Sequence, residues 1–504
     1  MKYPDNTSIL SAVKISGKTA KGFSMGILQS ITNKEMAKIT DGINERKEVV
    51  EPLTSFTVAR LQKDFNDGNT VLGGIVTSAN RLDSDPRFNF LNKNALTGGI
   101  DFLHQWHDKE FYLNAKFIGS NINGDTEAIS NLQKSSARYY QRPDADHLQY
   151  DATKTQLAGQ GGSIQIGKGS KGLWRYYTSI SWLSPGLELN DLGYMQVADQ
   201  IKNVNEVSYF IKQPKGIFRS LNAFITQSNY WDYSFNYLYS QFTPYFSGQF
   251  LNKWKVTAHI CYFPNSFDTR ILRGGEAMRI PSKIHGSAGI NSDYSKKAAF
   301  SVNALYEIAD HKSLKDYTII SSVTYHPFNI LKFYLSLSYT NNQNELQYVN
   351  DTQHNKLGRI DQNTLSATFR IDYNITPSLS LQYYGSPYVS NGNFSNFKWV
   401  NNPKAEQYED RFQVLDAILN SESKYVTPEG FSFSNLDFVY TQFRSNLVFR
   451  WEYLPGSKLY FVWSNEQTFY ESTSIAKPKE AISSFGKATS FNIFLIKLNY
   501  WFSL

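Results

Sequence analysis

Residues 331–340, LKFYLSLSYT, put Leu331, Phe333, Leu335, Leu337 and Tyr339 on one side of an extended chain and Lys332, Tyr334, Ser336, Ser338 and Thr340 on the other. A strict two-residue period is that of a β-strand with unlike faces. Residues 365–373 repeat it, with Leu365, Ala367, Phe369, Ile371 and Tyr373 against Ser366, Thr368, Arg370 and Asp372. After turn residues at 374–377, the next segment sets Leu379, Leu381 and Tyr383 against Ser378, Ser380 and Gln382. Two such strands around a short turn form a hairpin.

Working outward, nothing in the 504 residues interrupts this reading. No Pro- or Ser-rich linker, composition shift or low-complexity segment divides the chain, so one domain over 1–504 is expected. Aromatics make up 15% of the residues, with 33 Tyr and 35 Phe, and the charged fraction is 19%. The single cysteine, Cys261, excludes an intramolecular disulfide and any Cys-based metal cluster, and reads as a packed strand residue. The formal charge of +7 comes from scattered Lys and Arg without a basic block or helical stripe, which argues against nucleic acid as a partner. No run approaches the roughly 18 to 20 apolar residues a membrane helix requires. A mean hydropathy of −0.43 does not exclude a membrane barrel, whose strands alternate lipid-facing and lumen-facing residues.

The connections add a second regularity. Short turns are read near 18–21, 65–68, 107–109, 168–171, 213–215, 248–252, 292–296, 326–329, 374–377 and 455–457. Between them lie long polar loops at roughly 32–52, 82–95, 122–155, 184–202, 264–282, 342–362, 389–434 and 467–488. Short periplasmic turns alternating with long outer loops are typical of outer-membrane barrels. A C-terminal segment with Phe494, Ile496, Leu498, Tyr500, Phe502 and Leu504 on one face fits a closing strand. Trp451, Tyr453, Tyr460 and Trp463 fit interfacial aromatic girdles. The fold class expected is therefore all-β, a large antiparallel transmembrane β-barrel of about 20–22 strands.

The period yields 21 strands, the first at about 9–16, whereas bacterial single-chain barrels are usually even-stranded. Residues 1–8 carry no basic region followed by an apolar one, so no secretory signal is read there. The expectation is of an N-terminally incomplete chain, lacking an upstream signal and first strand, with a miscount of one strand as the alternative. Twenty-two strands about 4.8 Å apart and tilted about 40° would enclose a barrel roughly 44 Å across. Side chains alone do not fill such a lumen, so inward loops, a separate upstream domain or a partner chain is expected to occupy it.

Several runs carry a resemblance: AVKISGKTAKG at 12–22, VEPLTSF at 50–56, RLQKDFNDGNTVLGGIVTSANR at 60–81, RYYQRPDA at 138–145, SPGLELNDLG at 184–193, PKGIFR at 214–219 and RGGEAM at 273–278. Together they resemble Bacteroidota outer-membrane proteins in which a family-nine-like carbohydrate-binding domain precedes a barrel domain of unknown function. The resemblance covers roughly 9–280 and becomes diffuse beyond. It implies an outer-membrane barrel, often described as a membrane-associated hydrolase or carbohydrate-binding protein. No such N-terminal domain is read within these 504 residues, so sugar binding by that domain does not carry over.

Candidate chemistry lies in the loops. Arg270, Arg273 and Arg279 surround a Gly pair and, folded inward, would bind phosphate, carboxylate or lipid-A head groups, against a loop-to-wall salt bridge as the plainer role. The same Arg-Gly-Gly distantly resembles the lid loop of outer-membrane insertases, with Gly275 where an aromatic is expected. Arg138, Tyr139, Tyr140, Arg142, Asp144, Asp146 and His147 mix aromatics for stacking on sugar rings with an acid pair of the kind glycoside hydrolysis needs; loop self-packing is the alternative. Glu188, Asn190 and Asp191 offer oxygen ligands for Ca²⁺ without matching a defined loop motif. His104 and His107, three apart beside a turn, point to opposite faces of a strand and do not suggest a shared metal. There is no GxSxG, HExxH or Walker A motif, no cofactor is expected, and Gly73-Gly74 and Gly161-Gly162 read as bulges or close backbone approaches within strands.

These readings converge on an integral outer-membrane protein in contact with lipid and lipopolysaccharide. The leading function is binding or passage of a substrate, which the resemblance implies to be glycan-derived. A surface hydrolase acting on carbohydrate and a structural or assembly component of an envelope complex are the rival classes.

Overall fold

The two-residue period becomes a succession of strands in the computed structural model, which describes residues 4, 6–40, 44–83, 85–349, 355–428, 430, 432–473, 480 and 482–502. First come β1 Ile9–Lys18, β2 Phe23–Thr32, β3 Glu35–Thr40, β4 Glu45–Glu51, β5 Thr54–Phe65, β6 Thr70–Arg81, β7 Asn92–Trp106, β8 Phe111–Gly124, β9 Gln156–Lys168 and β10 Trp174–Leu183. Next are β11 Gln200–Ile211, β12 Phe218–Trp231, β13 Tyr237–Phe250, β14 Lys255–Phe263, β15 Ser266–Asp268, β16 Met278–Ile280, β17 Lys283–Asn291, β18 Ala298–Ala309 and β19 Leu314–Phe328. The series ends with β20 Leu331–Tyr348, β21 Lys356–Thr376, β22 Leu379–Val400, the short β23 Phe412–Val414, β24 Ile418–Leu419, β25 Lys424–Val426 and β26 Ser432–Ser434, then β27 Phe438–Leu454, β28 Ser457–Glu471 and β29 Thr489–Asn499. Among the described residues, 21 strands are nine residues or longer, the number the period predicts. One α-helix, α1 Thr126–Lys134, is described, and no helix is long and apolar enough to cross a membrane.

The chain forms two compact units, Met1–Ser208 with Thr226–Gln241 and Ser266–Met278, and Tyr209–Ile225 with Phe242–Asn265 and Arg279–Leu504. In the first, β1, β2, β5, β6, β7, β8, β9 and β10 pair antiparallel in that order. In the second, β13 from Phe242 onward pairs with β14, followed by β17, β18, β19, β20, β21, β22, β27, β28 and β29, again antiparallel. The ten short turns fall where the sequence puts them, each joining two long strands that follow one another in the chain.

The sheets are apolar on their exposed side. On β18, Phe300, Val302 and Tyr306 are 44%, 41% and 46% exposed, while Ser301 between them is 6% exposed. On β7, Leu96 and Ile100 are 51% and 61% exposed, against 5% for Ala95. Such a continuous apolar face is rare on a soluble monomer.

The opposite face is polar and internally paired. On β5, the Arg60 guanidinium donates to both oxygens of Asp101 on β7, at 2.8 and 3.0 Å. It reaches across β6 because Gly73 stands between them: a Cβ there would lie 2.6 Å from Asp101 Oδ2 and 2.8 Å from Arg60 Nη2. Gly73→Ala is expected to displace this bidentate pair, whose side chains are 40% and 27% exposed, and to cost about 0.5–1 kcal/mol, as loss of a partly exposed ion pair does. A urea midpoint in detergent equal to that of the parent protein would refute this.

Several of the expected loops are shorter than the sequence suggests. Segments 342–362, 389–434 and 467–488 are partly strand, since β20 runs to Tyr348, β21 starts at Lys356, β22 runs to Val400 and β28 runs to Glu471. Their polar side chains hide the strand because polar residues occupy both faces. The ladder nevertheless persists, with Asn341 Nδ2 donating to Asn363 Oδ1 at 2.9 Å and Asn342 Nδ2 to Asp316 Oδ2 at 2.8 Å. Segment 32–52 carries the β3–β4 hairpin, and β7 begins inside 82–95. The final strand stops at Asn499, short of the predicted end: the Trp501 N–H turns to the Ser457 hydroxyl, 3.0 Å away. Leu504 lies outside the described residues.

Candidate functional site

The long connections of the first unit fold onto the polar face of its own sheet. α1 starts after Asp125 and presents Ala128, Ile129 and Leu132 on one side, a helical spacing that gives a single apolar stripe. Ile129 is buried against Ala79, Ala95, Ile122 and Leu157, with Phe56, Leu132 and Tyr140 around them. Those positions share the face of Arg60 and Asp101, so the helix covers part of the polar side of β5 to β9.

The two following connections pack onto the same region. Arg138, after α1, extends to the 184–199 segment with all five of its N–H donors engaged. Nε donates to Pro185 O at 3.1 Å, Nη1 to Leu132 O and Ser135 Oγ at 2.9 and 3.2 Å, and Nη2 to Leu187 O and Glu188 Oε2 at 2.7 and 2.9 Å. The Arg138 and Glu188 side chains are 0% and 4% exposed. Glu188 is held further by its own backbone N–H, which donates to Ser120 Oγ on β8 at 2.9 Å. Asp191 accepts from Arg81 Nη1 at 3.2 Å and from Asn92 Nδ2 at 3.1 Å, tying the segment to β6 and β7. His147 Nε2 meets Asp199 Oδ1 at 2.8 Å.

Segment 266–278 closes over this assembly. Asp144 links the two loops, accepting from Arg142 Nη2 at 3.1 Å through one oxygen and from the Ala277 N–H at 2.9 Å through the other. Leu272 and Met278 are buried, while Arg270 and Arg273 are exposed. The structure thus brings 138–147, 188–191 and 270–277 together, but leaves few of the candidate side chains available to a ligand. Tyr139 is buried and burial pushes the Tyr140 phenol up, so both are packed within the loop. Arg142 is buried beside Asp144. Both Asp144 oxygens are occupied, which removes it from an exposed acid pair with Asp146. Glu188 Oε1 accepts from the Asn190 N–H at 2.7 Å and Asn190 Oδ1 from the Met195 N–H at 2.7 Å, so the oxygens read as calcium ligands already have partners.

Arg279 belongs to the second unit. Its N–H donates to Pro403 O and its carbonyl accepts from Arg411 Nη1, both at 2.9 Å. Arg411, unmarked in the sequence, is 4% exposed and bonds three main-chain carbonyls, of Ala405, Glu406 and Arg279. Tyr408, beside it, is pushed up to about 12, first by burial. His104 stacks between Phe102 and Trp106, and His107 sits in the β7–β8 turn at φ +50°. Cys261 is buried and takes a contact from the Thr243 hydroxyl. No group of three His, Cys, Asp or Glu side chains among the described residues is arranged to hold a metal ion.

Sequence reasoning missed the partners Ser120, Asp199, Arg81 and Arg411, for which spacing gives no signal. Arg138 and Glu188 stand 50 residues apart.

Among solved structures, the chain is similar to Pseudomonas aeruginosa OccK10 (OpdN), at 10% identity over 77% of this chain and 94% of that chain, with a TM-score of 0.33. It is similar to a BenF-like porin from Pseudomonas fluorescens Pf-5, at 11% identity over 95% of this chain and 98% of that chain, with a TM-score of 0.33. A third is OmpT, an outer membrane protein of Vibrio cholerae, at 10% identity over 79% and 95% of the two chains, with a TM-score of 0.24. No curated protein matches. A family profile described as Domain of unknown function (DUF5916) matches residues 1–503, and the chain belongs to that family.

Proposed function

We propose that this chain is an integral outer-membrane β-barrel that binds or passes a solute along its polar face, with inward-folded loops as the constriction. The observation carrying this reading is the distribution of side chains: apolar residues are exposed on one face of the sheets and paired polar residues line the other. That is the inverse of a soluble sheet and suits strands with lipid outside and water inside. Strands of nine residues or more meet the roughly 9–11 residues a tilted membrane strand needs. Lipid and lipopolysaccharide are then the partners of the exposed face.

The loops at 125–155, 184–199 and 266–278 are built as a plug, with a helix, a buried ion pair and a shared aspartate. A glycan-derived cargo would rest on the resemblance alone, since Tyr139 and Tyr140 are packed away. The exposed Arg270 and Arg273 suit an anionic part of a cargo better.

Planar-bilayer conductance tests the reading. The full chain is expected to conduct little, and deletion of residues 270–279 to produce large, steady openings. A barrel that stays silent in both forms, while shown to be folded and inserted, would end the proposal of passage through this route.

A further inference from the structure

In the second unit, the strand ends at three short turns, those at 212–217, 251–254 and 292–297, form a basic corner. A cavity of about 470 Å³ is lined there by Arg219, Gln249, Lys253, Lys255, Asn291 and the 292–295 turn. That volume falls within the roughly 300–1,000 Å³ of small-molecule sites. The register puts Gln249 beside Lys255 and Lys255 beside Asn291. By the two-residue period, Lys255 lies on the face opposite Ile260 and Tyr262, which are 54% and 44% exposed. Arg219 likewise alternates with Phe218, whose ring stacks on Phe250 with centroids 5.4 Å apart.

The charges do not cancel. Lys253 Nζ donates to Ser295 Oγ at 2.8 Å and stands 3.7 Å from Asp293 Oδ2. The other Asp293 oxygen accepts from the Ser295 N–H and hydroxyl at 2.8 and 2.7 Å, and those hydrogen bonds hold its carboxyl below the usual range. Asp293 is therefore anionic and offsets Lys253. Arg219 and Lys255 form no ion pair among the described residues, and both are exposed. A guanidinium, two ammonium groups and amide donors around one concavity, with a single carboxylate already engaged, make an anion site.

We propose that this corner binds the phosphate group of an anionic solute. Its position on the polar face favours a solute over a lipid head group, which would approach from the apolar side. The assignment of the corner to the periplasmic mouth of a passage rests on the barrel reading above; its anion chemistry does not.

The test is isothermal titration of the folded full chain in detergent with inorganic phosphate. The double variant R219Q/K255Q is expected to bind phosphate at least about tenfold more weakly, the scale of losing a charge-assisted contact. D293N, which removes the offsetting carboxylate, is expected to bind several-fold more tightly. Equal phosphate affinity in parent and double variant, or weaker binding by D293N, would overturn the site. Because both cations are exposed, the variants should keep the heat-modifiable gel shift of the parent. If R219Q/K255Q does not, the D293N comparison decides. Nanodiscs containing phosphatidylglycerol distinguish the sources: phosphate binding unchanged by the lipid supports a solute site, and competition by the lipid overturns it. A silent barrel in the bilayer would sink the passage reading and leave this titration standing, whereas unchanged titration in a conducting barrel would sink only the anion site.

Discussion

Arg138→Ala is expected to destabilise the packing between the 125–155 and 184–199 loops by about 3–5 kcal/mol, the cost of removing one partner of a buried ion pair. Glu188, 4% exposed on its side chain, would be left with only the Asn190 N–H on one oxygen, and the carbonyls of Leu132, Pro185 and Leu187 would each lose a donor. The loss falls on the loops rather than on the strand ladders, because every acceptor of Arg138 lies in 132–135 or 185–188. Limited trypsin digestion in detergent should therefore cut within 134–154 much faster than in the parent protein, while the heat-modifiable band of the folded sheet survives. Adding Glu188→Gln to Arg138→Ala should restore part of the protection, since the introduced amide is neutral and keeps an oxygen for the Asn190 N–H. Equal digestion rates in parent and Arg138→Ala would show that the pair does not hold the two loops together.

That ion pair marks the boundary of what the sequence discloses. A strand with one lipid-side face declares itself locally, so 331–340 and 365–373 are legible from alternation and their turn from Asn374 to Pro377. Strand continues unseen where both faces are polar, as at Asn341, Asn342 and Asn363, because the backbone ladder needs no apolar side chain. The loops are harder still. Arg138, Tyr139, Glu188 and Asp191 stand out by residue type, but whether a charged group meets a ligand or a partner depends on contacts such as Arg138 to Glu188 and Arg81 to Asp191, which span 50 and 110 positions. Residue type thus located the interacting loops, and only the packing shows that they interact chiefly with each other. The same lesson holds for Arg219 and Lys255, which nothing in the chain marks as a pair and which line one cavity in the fold.

Substituting Gly159 should free the 184–199 segment, the proposed constriction, without touching any charged group. Gly159 lies on β9 opposite Ser120 of β8, on the face that receives the 184–199 segment. A Cβ there would fall 2.0 Å from Leu187 N and 2.3 Å from Gly186 C, while a Cβ at Gly186 would fall 2.1 Å from Ala158 O. Two backbones touch at this point, and backbone cannot rotate aside as a side chain can. Gly159→Val must therefore lift residues 186–188 from the sheet, pulling Glu188 away from both Ser120 and Arg138. Overpacking of this kind costs about 1–3 kcal/mol when side chains yield, and a main-chain clash belongs at or above the upper end. β-branched residues suit strands, so β9 itself should keep its pairing. In a planar bilayer, the expected result is a conductance well above that of the parent protein and approaching that of the 270–279 deletion. Gly159→Ala, with the same first atom in the clash, should show a smaller shift in the same direction. Parental conductance in Gly159→Val, with trypsin sensitivity of 134–154 raised, would mean that the 184–199 segment moves but does not limit the passage. Parental behaviour in both assays would show that this contact does not hold the segment down.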